Sequence, residues 1–506
     1  MTVILATFME VLDTSVANVS LPHIAGNLSA SVDESTWVLT SYLVSNAIVL
    51  PLTGWFSRLV GRRNFFIGCV VIFTISSLLC GLSLSLPMLV FFRVLQGAGG
   101  GGLQPVSQAI LVDSFPREKQ GMAMAIYGMG VVVAPTIGPT IGGWITDNYT
   151  WRWIFLINVP VGILAVMLTS VLISDPPHAA RKRGSAKQID YIGLGLLSVG
   201  LGFAQVVLDK GQRDDWFGSH FIVWSTAAAV AGLIGMVIWE LHVTNPVVEL
   251  RLLKERNFAV ATFMMYTLGF VLYGTTVLLP ILLQTLMGYT AKQSGLVIFP
   301  GGVATLCALP LVGRLLAKFE ARWMVVFGML ILSTGLIEMS HMTLDVSMRT
   351  PIWDWAVSRF GVAFLFVPVN VMAFFYVPRH ETNQATGLIN LARNIGGSMG
   401  ISFVTTMLER RAQFHQNILA SHTAAGNPRY QAAIQHLSRM FAMHGLHGAT
   451  ATHQAQTVIY GNVQRQAMML SFVDNFWLMA MICLAVIPLL FLMKKMRPGR
   501  AQVAVH

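Results

Sequence analysis

Charge is what this chain has least of. Aspartate, glutamate, lysine and arginine together make up 11% of its 506 residues, less than half of what a soluble domain usually carries. Cysteine is scarce as well. The four present, Cys69, Cys80, Cys307 and Cys483, form no CxxC pair; this excludes a disulfide framework or a thiolate metal site and leaves small packing residues. There is no phosphate-binding loop, no HExxH and no nucleophile elbow, so no enzyme, no bound cofactor and no ATP hydrolysis are expected. No basic leader and no small-residue cleavage site accompany the first apolar run, which is barely long enough to span; the true start lies upstream or the first helix is short. Basic residues exceed acidic ones, 33 against 22, but they gather on no single patch, which excludes nucleic acid as a partner.

What the chain has in abundance is apolar length. Hydrophobic residues make up 55%, and mean hydropathy is +0.65. About fourteen apolar stretches follow one another, each near the ~20 residues that cross a ~30 Å hydrocarbon layer. They fall near 2–22, 36–57, 65–84, 88–112, 121–146, 153–173, 189–207, 220–240, 258–284, 293–314, 323–341, 353–377, 383–408 and 472–493. With the N-terminus in the cytoplasm, Arg58, Arg62, Arg63, Arg117, Lys119, Arg181, Lys182, Arg183, Arg251, Lys254, Arg314, Lys318, Arg379, Lys494 and Lys495 all lie inside. The short outer loops hold only Arg152, Lys210, Arg213, Lys292 and Arg349. That asymmetry is the positive-inside rule, and it predicts both termini cytoplasmic. The fold class expected is an all-α multi-pass membrane protein, in contact with membrane lipid.

The stretch Asp175-Pro-Pro-His-Ala-Ala-Arg-Lys-Arg is the clearest linker, since two prolines stop a helix and the basic cluster holds the loop inside. It divides the chain into residues 1–175 with six spans, 176–257 with the linker and two inserted spans, and 258–506 with six more. A 6+2+6 order is the repeat logic of secondary transporters, although no internal repeat aligns by eye. Residues 409–471 are the one long extramembrane segment. Amphipathic periodicity there predicts short helices outside the membrane, one starting at Asn427 as cap with Pro428 in its first turn. His415, His422, His436, His444, His447 and His453 cluster in it but lack accompanying acids or cysteines, so they read as surface histidines and no metal site is expected.

A charge inside a span costs about 2.5–3.5 kcal/mol and tends to face a cavity or a partner. The first span carries Glu10 and Asp13 on one face, with Thr14 and Asn18 bordering it. The fourth carries Arg93, Gln96, Gly97, Gly100, Gln104 and Gln108 within a stripe of about 120°. The thirteenth repeats the theme with Asn383, Thr386, Asn390, Arg393 and Asn394. An ion pair between Asp13 and Arg93 is expected. Burial and a neighbouring arginine push a carboxyl's protonation in opposite directions, which is what a proton carrier needs; a static pair locking two helices is the competing reading. Glu10 is an acid for a cationic substrate or a residue of the inner mouth. Glu338 and Asp354 lie near span ends and read as solvated, and Arg359 is left open for the same reason. In the fifth span Gly130, Ala134, Gly138 and Gly142 recur every fourth residue, which lets helices approach closely, while Pro135 and Pro139 each free a carbonyl; Gly143 follows directly.

At these residues the chain resembles the major facilitator superfamily, and within it the fourteen-span drug:proton antiporters of the EmrB/QacA type. Leu12-Asp13-Thr14-Ser15-Val16-Ala17-Asn18-Val19-Ser20-Leu21-Pro22 resembles the first-span motif of that group. Leu89-x-x-x-Arg93-x-x-Gln96-Gly97 is similar to the fourth-span motif whose arginine is tied to proton translocation. Gly130 to Gly143 resembles the antiporter motif of the fifth span, Asn390-x-x-Arg393-x-x-Gly396-Gly397-Ser398 a thirteenth-span pattern, and Trp151 to Pro160 also fits. The gating loop, Gly54-Trp-Phe-Ser-Arg58-Leu59-Val-Gly61-Arg62-Arg63, departs from the family. Its usual acid falls at Arg58 and its usual arginine at Leu59, so it is expected to act through positive charge and packing alone.

The resemblance implies a major facilitator fold of two six-helix halves plus two inserted helices. It also implies multidrug efflux and drug resistance by proton-coupled exchange across a bacterial inner membrane, small hydrophobic substrates, and a periplasmic adaptor with an outer-membrane channel as partners. With the charge reading above, proton coupling is expected at Asp13, Arg93 and Glu10. The substrate cavity then falls to Thr14, Asn18, Gln96, Gln104, Gln108, Asn390, Arg393 and Asn394. A proton-coupled transporter of a metabolite, fatty acid or siderophore, and a non-transporting receptor or scaffold, are the alternatives.

Overall fold

The computed structural model describes residues 2–494 except 31, 36, 174–189, 212–213, 244–245, 379–380, 424–425, 445 and 447. The proline-basic linker, Arg213, Arg379, His447 and Lys495 therefore lie outside the described residues, as do the side chains of Asn18, Arg58, Arg117, Pro139, Lys292 and Asn383. In chain order the helices are α1 (Thr2–Asn27), α2 (Val32–Ser35), α3 (Trp37–Val60), α4 (Arg62–Gly81), α5 (Leu86–Gly100), α6 (Leu103–Ser114), α7 (Arg117–Asn148), α8 (Trp153–Leu156) and α9 (Asn158–Leu172). Then come α10 (Tyr191–Lys210), α11 (His220–His242), α12 (Arg256–Ile281), α13 (Ala291–Leu315), α14 (Ala321–Met339), α15 (Arg349–Phe374), α16 (Thr382–Ser421), α17 (Pro428–Met443) and α18 (Ala449–Val486). No strand occurs among the described residues. A chain that cannot hand its backbone polar groups to water in a bilayer closes them within helices.

Among the described residues, ten helical stretches are long and apolar enough to cross a membrane. The long passes left out of that ten are α1, α5 with α6, α7, and α16. These helices carry Glu10, Asp13, Arg93, Arg393 and the Gly/Pro motif, and those four charged side chains are buried inside the bundle.

One packing pattern occurs twice. α1 lies on α7, α5 between α3 and α4, and α4 on α9; likewise α12 lies on α16, α15 between α13 and α14, and α14 on α18. α10 packs on α11 and bridges α3 and α16, with the Lys210 ammonium 4.2 Å from the Trp37 ring and Ser398 donating to Gln205 at 2.8 Å. The first six passes touch the last six through α7 on α13 and α15 and through α16 on α3 and α6. These contacts gather toward the ends that bear the basic loops. A Cβ on Gly313 would sit 3.2 Å from that of Ala125, and one on Gly54 2.6 Å from Cγ of Gln384. The bundle is closed at that end.

Three expectations change. The fourth span is interrupted by a two-residue turn at Gly101 and Gly102, whose backbone stays in the right-handed helical region while the glycines let it lie against Asn46 and Cys69. The gating segment is hardly a loop. Gly61, at φ 87°, makes the whole turn, with Gly54 inside α3 and Arg62 and Arg63 in the first turn of α4. The described part of residues 409–471 is mostly helical, with Asn427 capping and Pro428 leading α17, but its first and last stretches are extensions of α16 and α18 rather than separate short helices. Asp474 joins the two extensions, accepting from Arg411 at 2.6 Å and facing His415 at 2.7 Å.

Candidate functional site

α1 brings both of its acids to the interior: Glu10 and Asp13 are 4% and 2% exposed. They belong to two different clusters.

Asp13 meets Arg93 at 2.6 Å, and neither side chain is more than 1% exposed. The carboxylate also accepts from Gln96 at 3.0 Å and from Asn158 at 2.7 Å. Asn158 in turn donates to Ser77 at 2.9 Å. The guanidinium donates through Nε to the Val38 carbonyl at 2.9 Å and through Nη1 to Gln96 at 2.8 Å. It lies over the Tyr42 ring at 4.4 Å, a further favourable contact for a cation. Three helices of the first half therefore converge on one carboxylate, α1 from one side, α5 and α9 from the others. Asn158 carries no signal of this in the sequence beyond its place in the Trp151 to Pro160 stretch, because it is the single amide of an otherwise apolar helix.

Glu10, one turn earlier on α1, lies on the far side of Tyr42 from this pair. It accepts from Gln104 at 2.7 Å, from the Tyr42 hydroxyl at 3.3 Å and from Asn46 at 3.4 Å. The carbonyl oxygen of Gln104 takes a hydrogen bond from Arg393 on α16. Asn390 donates to Gln108 at 2.9 Å, and Asn394 to Asn46 at 3.5 Å. Because a glutamine amide offers a donor at one end and an acceptor at the other, Gln104 ties an acid of the first half to a base of the second. The polar stripe expected on the fourth span therefore serves two clusters along its length. Arg93 and Gln96 serve Asp13; Gln104 and Gln108 serve the contact between halves. Thr14 stands apart, its hydroxyl donating to the Val11 carbonyl of its own helix at 2.9 Å.

The glycine motif of α7 packs on α1. A Cβ on Gly130 would come 2.6 Å from Ile4, on Gly138 2.6 Å from Cβ of Ser15, and on Gly142 2.8 Å from Val16, whereas one on Gly143 would meet nothing within 4 Å. Pro139 has no N–H for the Pro135 carbonyl, and Ser15 donates to that carbonyl at 3.3 Å. Gly138→Val is expected to cost about 1–3 kcal/mol by forcing α1 and α7 apart, and Gly143→Val almost nothing; thermal unfolding of the two purified variants checks the contrast.

At the closed end Arg62 meets Asp113 at 2.6 Å, the two side chains 6% and 4% exposed, and Arg63 donates to the Ser170 carbonyl. Asp113 supplies a carboxylate from the end of α6, so packing and positive charge are not the whole of this segment's chemistry. Arg359 is buried rather than solvated at a span end. It donates to Thr275 at 3.2 Å and Thr276 at 2.8 Å.

Residues 3–401 match the family model described as Major Facilitator Superfamily. The chain is 38% identical over 493 residues to the multidrug export protein EmrB of Escherichia coli K12, an alignment covering 97% of this chain and 94% of the relative. It is 36% identical over 491 residues to the fatty acid resistance protein FarB of Neisseria gonorrhoeae, again 97% and 94%. Among solved structures, the proton:xylose symporter XylE superposes with a TM-score of 0.62 at 14% identity, covering 97% of this chain and 94% of that one, a likeness of fold alone.

Proposed function

The chain belongs to the major facilitator superfamily, among relatives that include multidrug export proteins of the EmrB type, and on that premise we propose that it expels hydrophobic or amphiphilic small molecules across a bacterial inner membrane in exchange for protons. In this reading fourteen helices cross the bilayer with both termini cytoplasmic, as two six-helix halves with α10 and α11 inserted between them. The end closed by α7 on α13 and α16 on α3 is then the cytoplasmic one, and alternating access consists of rocking the halves about a central site.

The observation that carries the reading is a pair of buried acids on one helix, each wired to an arginine by a glutamine: Asp13 with Gln96 and Arg93, Glu10 with Gln104 and Arg393. A proton arriving at Asp13 removes the charge that holds Arg93 and frees the α1–α5 contact. A proton arriving at Glu10 removes the negative charge that strengthens its bonds from Gln104, Tyr42 and Asn46 and makes one of its two oxygens an O–H donor. The bridge from Glu10 through Gln104 to Arg393 is weakened, and the contact between halves with it. Proton load and gate position are thereby joined through the charge on Glu10. A periplasmic adaptor and an outer-membrane channel complete the proposal, with the helical extensions at 409–471 as the docking element.

The test uses the protein in proteoliposomes with an internal pH dye, a pH gradient, and a panel of hydrophobic cations, anions and neutral compounds. Substrate-dependent proton flux in the wild type, lost per folded molecule in Asp13→Asn, is expected. Normal coupled flux in that variant sinks the assignment of Asp13.

A further inference from the structure

The inserted helices carry acids that the transport reading does not use. Asp190 caps α10, its Oδ1 accepting from the Gly193 N–H at 2.8 Å. Both of its oxygens also face the indole Nε1 of Trp239 on α11, at 2.8 and 2.9 Å. With those donors and a helix N-terminus behind it, this carboxylate is well held as an anion. Glu240, the next residue on α11, is not. It is 1% exposed. Its Oε1 takes one long hydrogen bond, from the Val248 N–H at 3.3 Å, and its Oε2 is buried without a partner.

The two acids meet over a glycine. A Cβ on Gly193 would lie 2.4 Å from Oδ2 of Asp190 and 2.9 Å from Oε1 of Glu240. The two oxygens are therefore no farther apart than those distances laid end to end, and no side chain stands at the point where they converge. Cations do not balance them. Among the described residues no lysine, arginine or histidine lies within 4 Å of Asp190, Glu240 or Glu249. The basic groups of the surrounding elements are engaged elsewhere: Nδ1 of His242 faces the Ile238 carbonyl at 2.7 Å, Arg251 donates to the Val243 carbonyl at 2.9 Å, and Lys254 is exposed. Glu249, on the segment after α11, adds a third carboxyl whose Oε1 is buried and unpartnered. Two like charges this close in a buried place do not both persist; a pair of carboxyls so held binds one proton.

We propose that Asp190 and Glu240 hold one proton between them, making the foot of the inserted helices a proton site separate from the acids of α1. The proton sits on Glu240, whose O–H then has Asp190 as its acceptor, while Asp190 keeps its donors from Gly193 and Trp239. Removing the proton leaves two facing charges, which push the start of α10 away from the end of α11. In the orientation proposed above this foot faces the cytoplasm, so an alkaline cytoplasm loosens it.

The experiment is infrared difference spectroscopy of the full chain in dodecyl maltoside, a detergent with no carbonyl of its own, stepped from neutral to alkaline pH. The wild type is expected to lose the C=O band of a protonated carboxyl and gain carboxylate absorption. A component worth one carboxyl per chain should be missing from the spectra of Glu240→Gln and of Asp190→Asn, which still offers α10 a capping oxygen, and should remain in Glu249→Gln. Gly193→Ala keeps both acids but wedges a methyl group between their oxygens. It should remove the same component, and it stands as the test if Glu240→Gln does not fold. Identical spectra from the wild type and Glu240→Gln overturn the proposal. So does a component lost in Glu240→Gln but kept in both Asp190→Asn and Gly193→Ala, since the proton is then not shared, or one lost with Glu249→Gln instead. The measurement needs neither substrate nor gradient, so a failure here is distinguishable from a failure of proton flux in liposomes.

Discussion

Arg93→Gln is expected to destabilise the protein by about 3–5 kcal/mol, the range found when one partner of a buried ion pair is removed. The reason lies in how completely the pair is enclosed. Neither side chain of the pair is more than 1% exposed, so water cannot replace what is lost. The variant strips Asp13 of its cationic donor, the Val38 carbonyl of its partner and the Tyr42 ring of its cation at once. Asp13→Asn is expected to cost less, because its amide oxygen still accepts from Arg93 or Asn158. The double variant Asp13→Asn with Arg93→Gln should be more stable than Arg93→Gln alone, since no uncompensated charge stays buried. Thermal unfolding of the three in one detergent yields the coupling directly. If the two single losses simply add in the double variant, the pair is not coupled and Arg93 acts through packing. Transport should be absent in all three, which separates the structural role of the pair from its role in coupling.

The residues of this pair were legible in the sequence because charges in apolar runs are rare enough to stand out. The same holds for Glu10, Gln104, Gln108, Asn390 and Arg393. Which of them meet was less legible. Arg93 and Gln108 share one face of the fourth span but lie about four turns apart, so they meet different partners. Tyr42, Asn46 and Asn158 escaped notice for a different physical reason. A single amide or phenol in an apolar helix costs far less than a charge, so it leaves no periodic trace until the fold puts a carboxylate beside it. Hydropathy fails in the same direction: α1 and α16 fall short as spans, yet Glu10, Asp13 and Arg393 are buried inside the bundle. Asp113 shows the limit of motif reading. The gating segment lacks its usual acid, yet Arg62 finds one contributed by the end of α6, more than forty residues along the chain.

Gly54→Trp is expected to stop transport by holding the closed end open. Even a single Cβ at this position would come 2.6 Å from Cγ of Gln384 and 3.2 Å from its Cα, and an indole cannot be placed there while α3 and α16 stay in contact. One helical turn earlier on α3 and one later on α16, Gly387 repeats the constraint: its Cβ would lie 3.0 Å from the Leu50 carbonyl. Overpacking a tight contact costs about 1–3 kcal/mol or more. Each 1.4 kcal/mol changes a two-state ratio tenfold, and full reversal from 1:99 to 99:1 takes about 5.5 kcal/mol. The substitution therefore shifts the population well toward the form in which the halves separate at this end, while the Asp13–Arg93 cluster, wholly within the first half, stays intact. Ala125 reports on the seam. It is buried and faces Gly313 across the α7–α13 contact, so in an Ala125→Cys, Cys307→Ser background an impermeant maleimide should label Cys at this position slowly in the parent and at least ten times faster after Gly54→Trp. Stability close to that of the parent, together with lost transport and fast labelling, identifies a transporter held in one state. Slow labelling with normal transport means that the α3–α16 contact opens without using Gly54, and that closure at this end is carried by α7 and α13 alone.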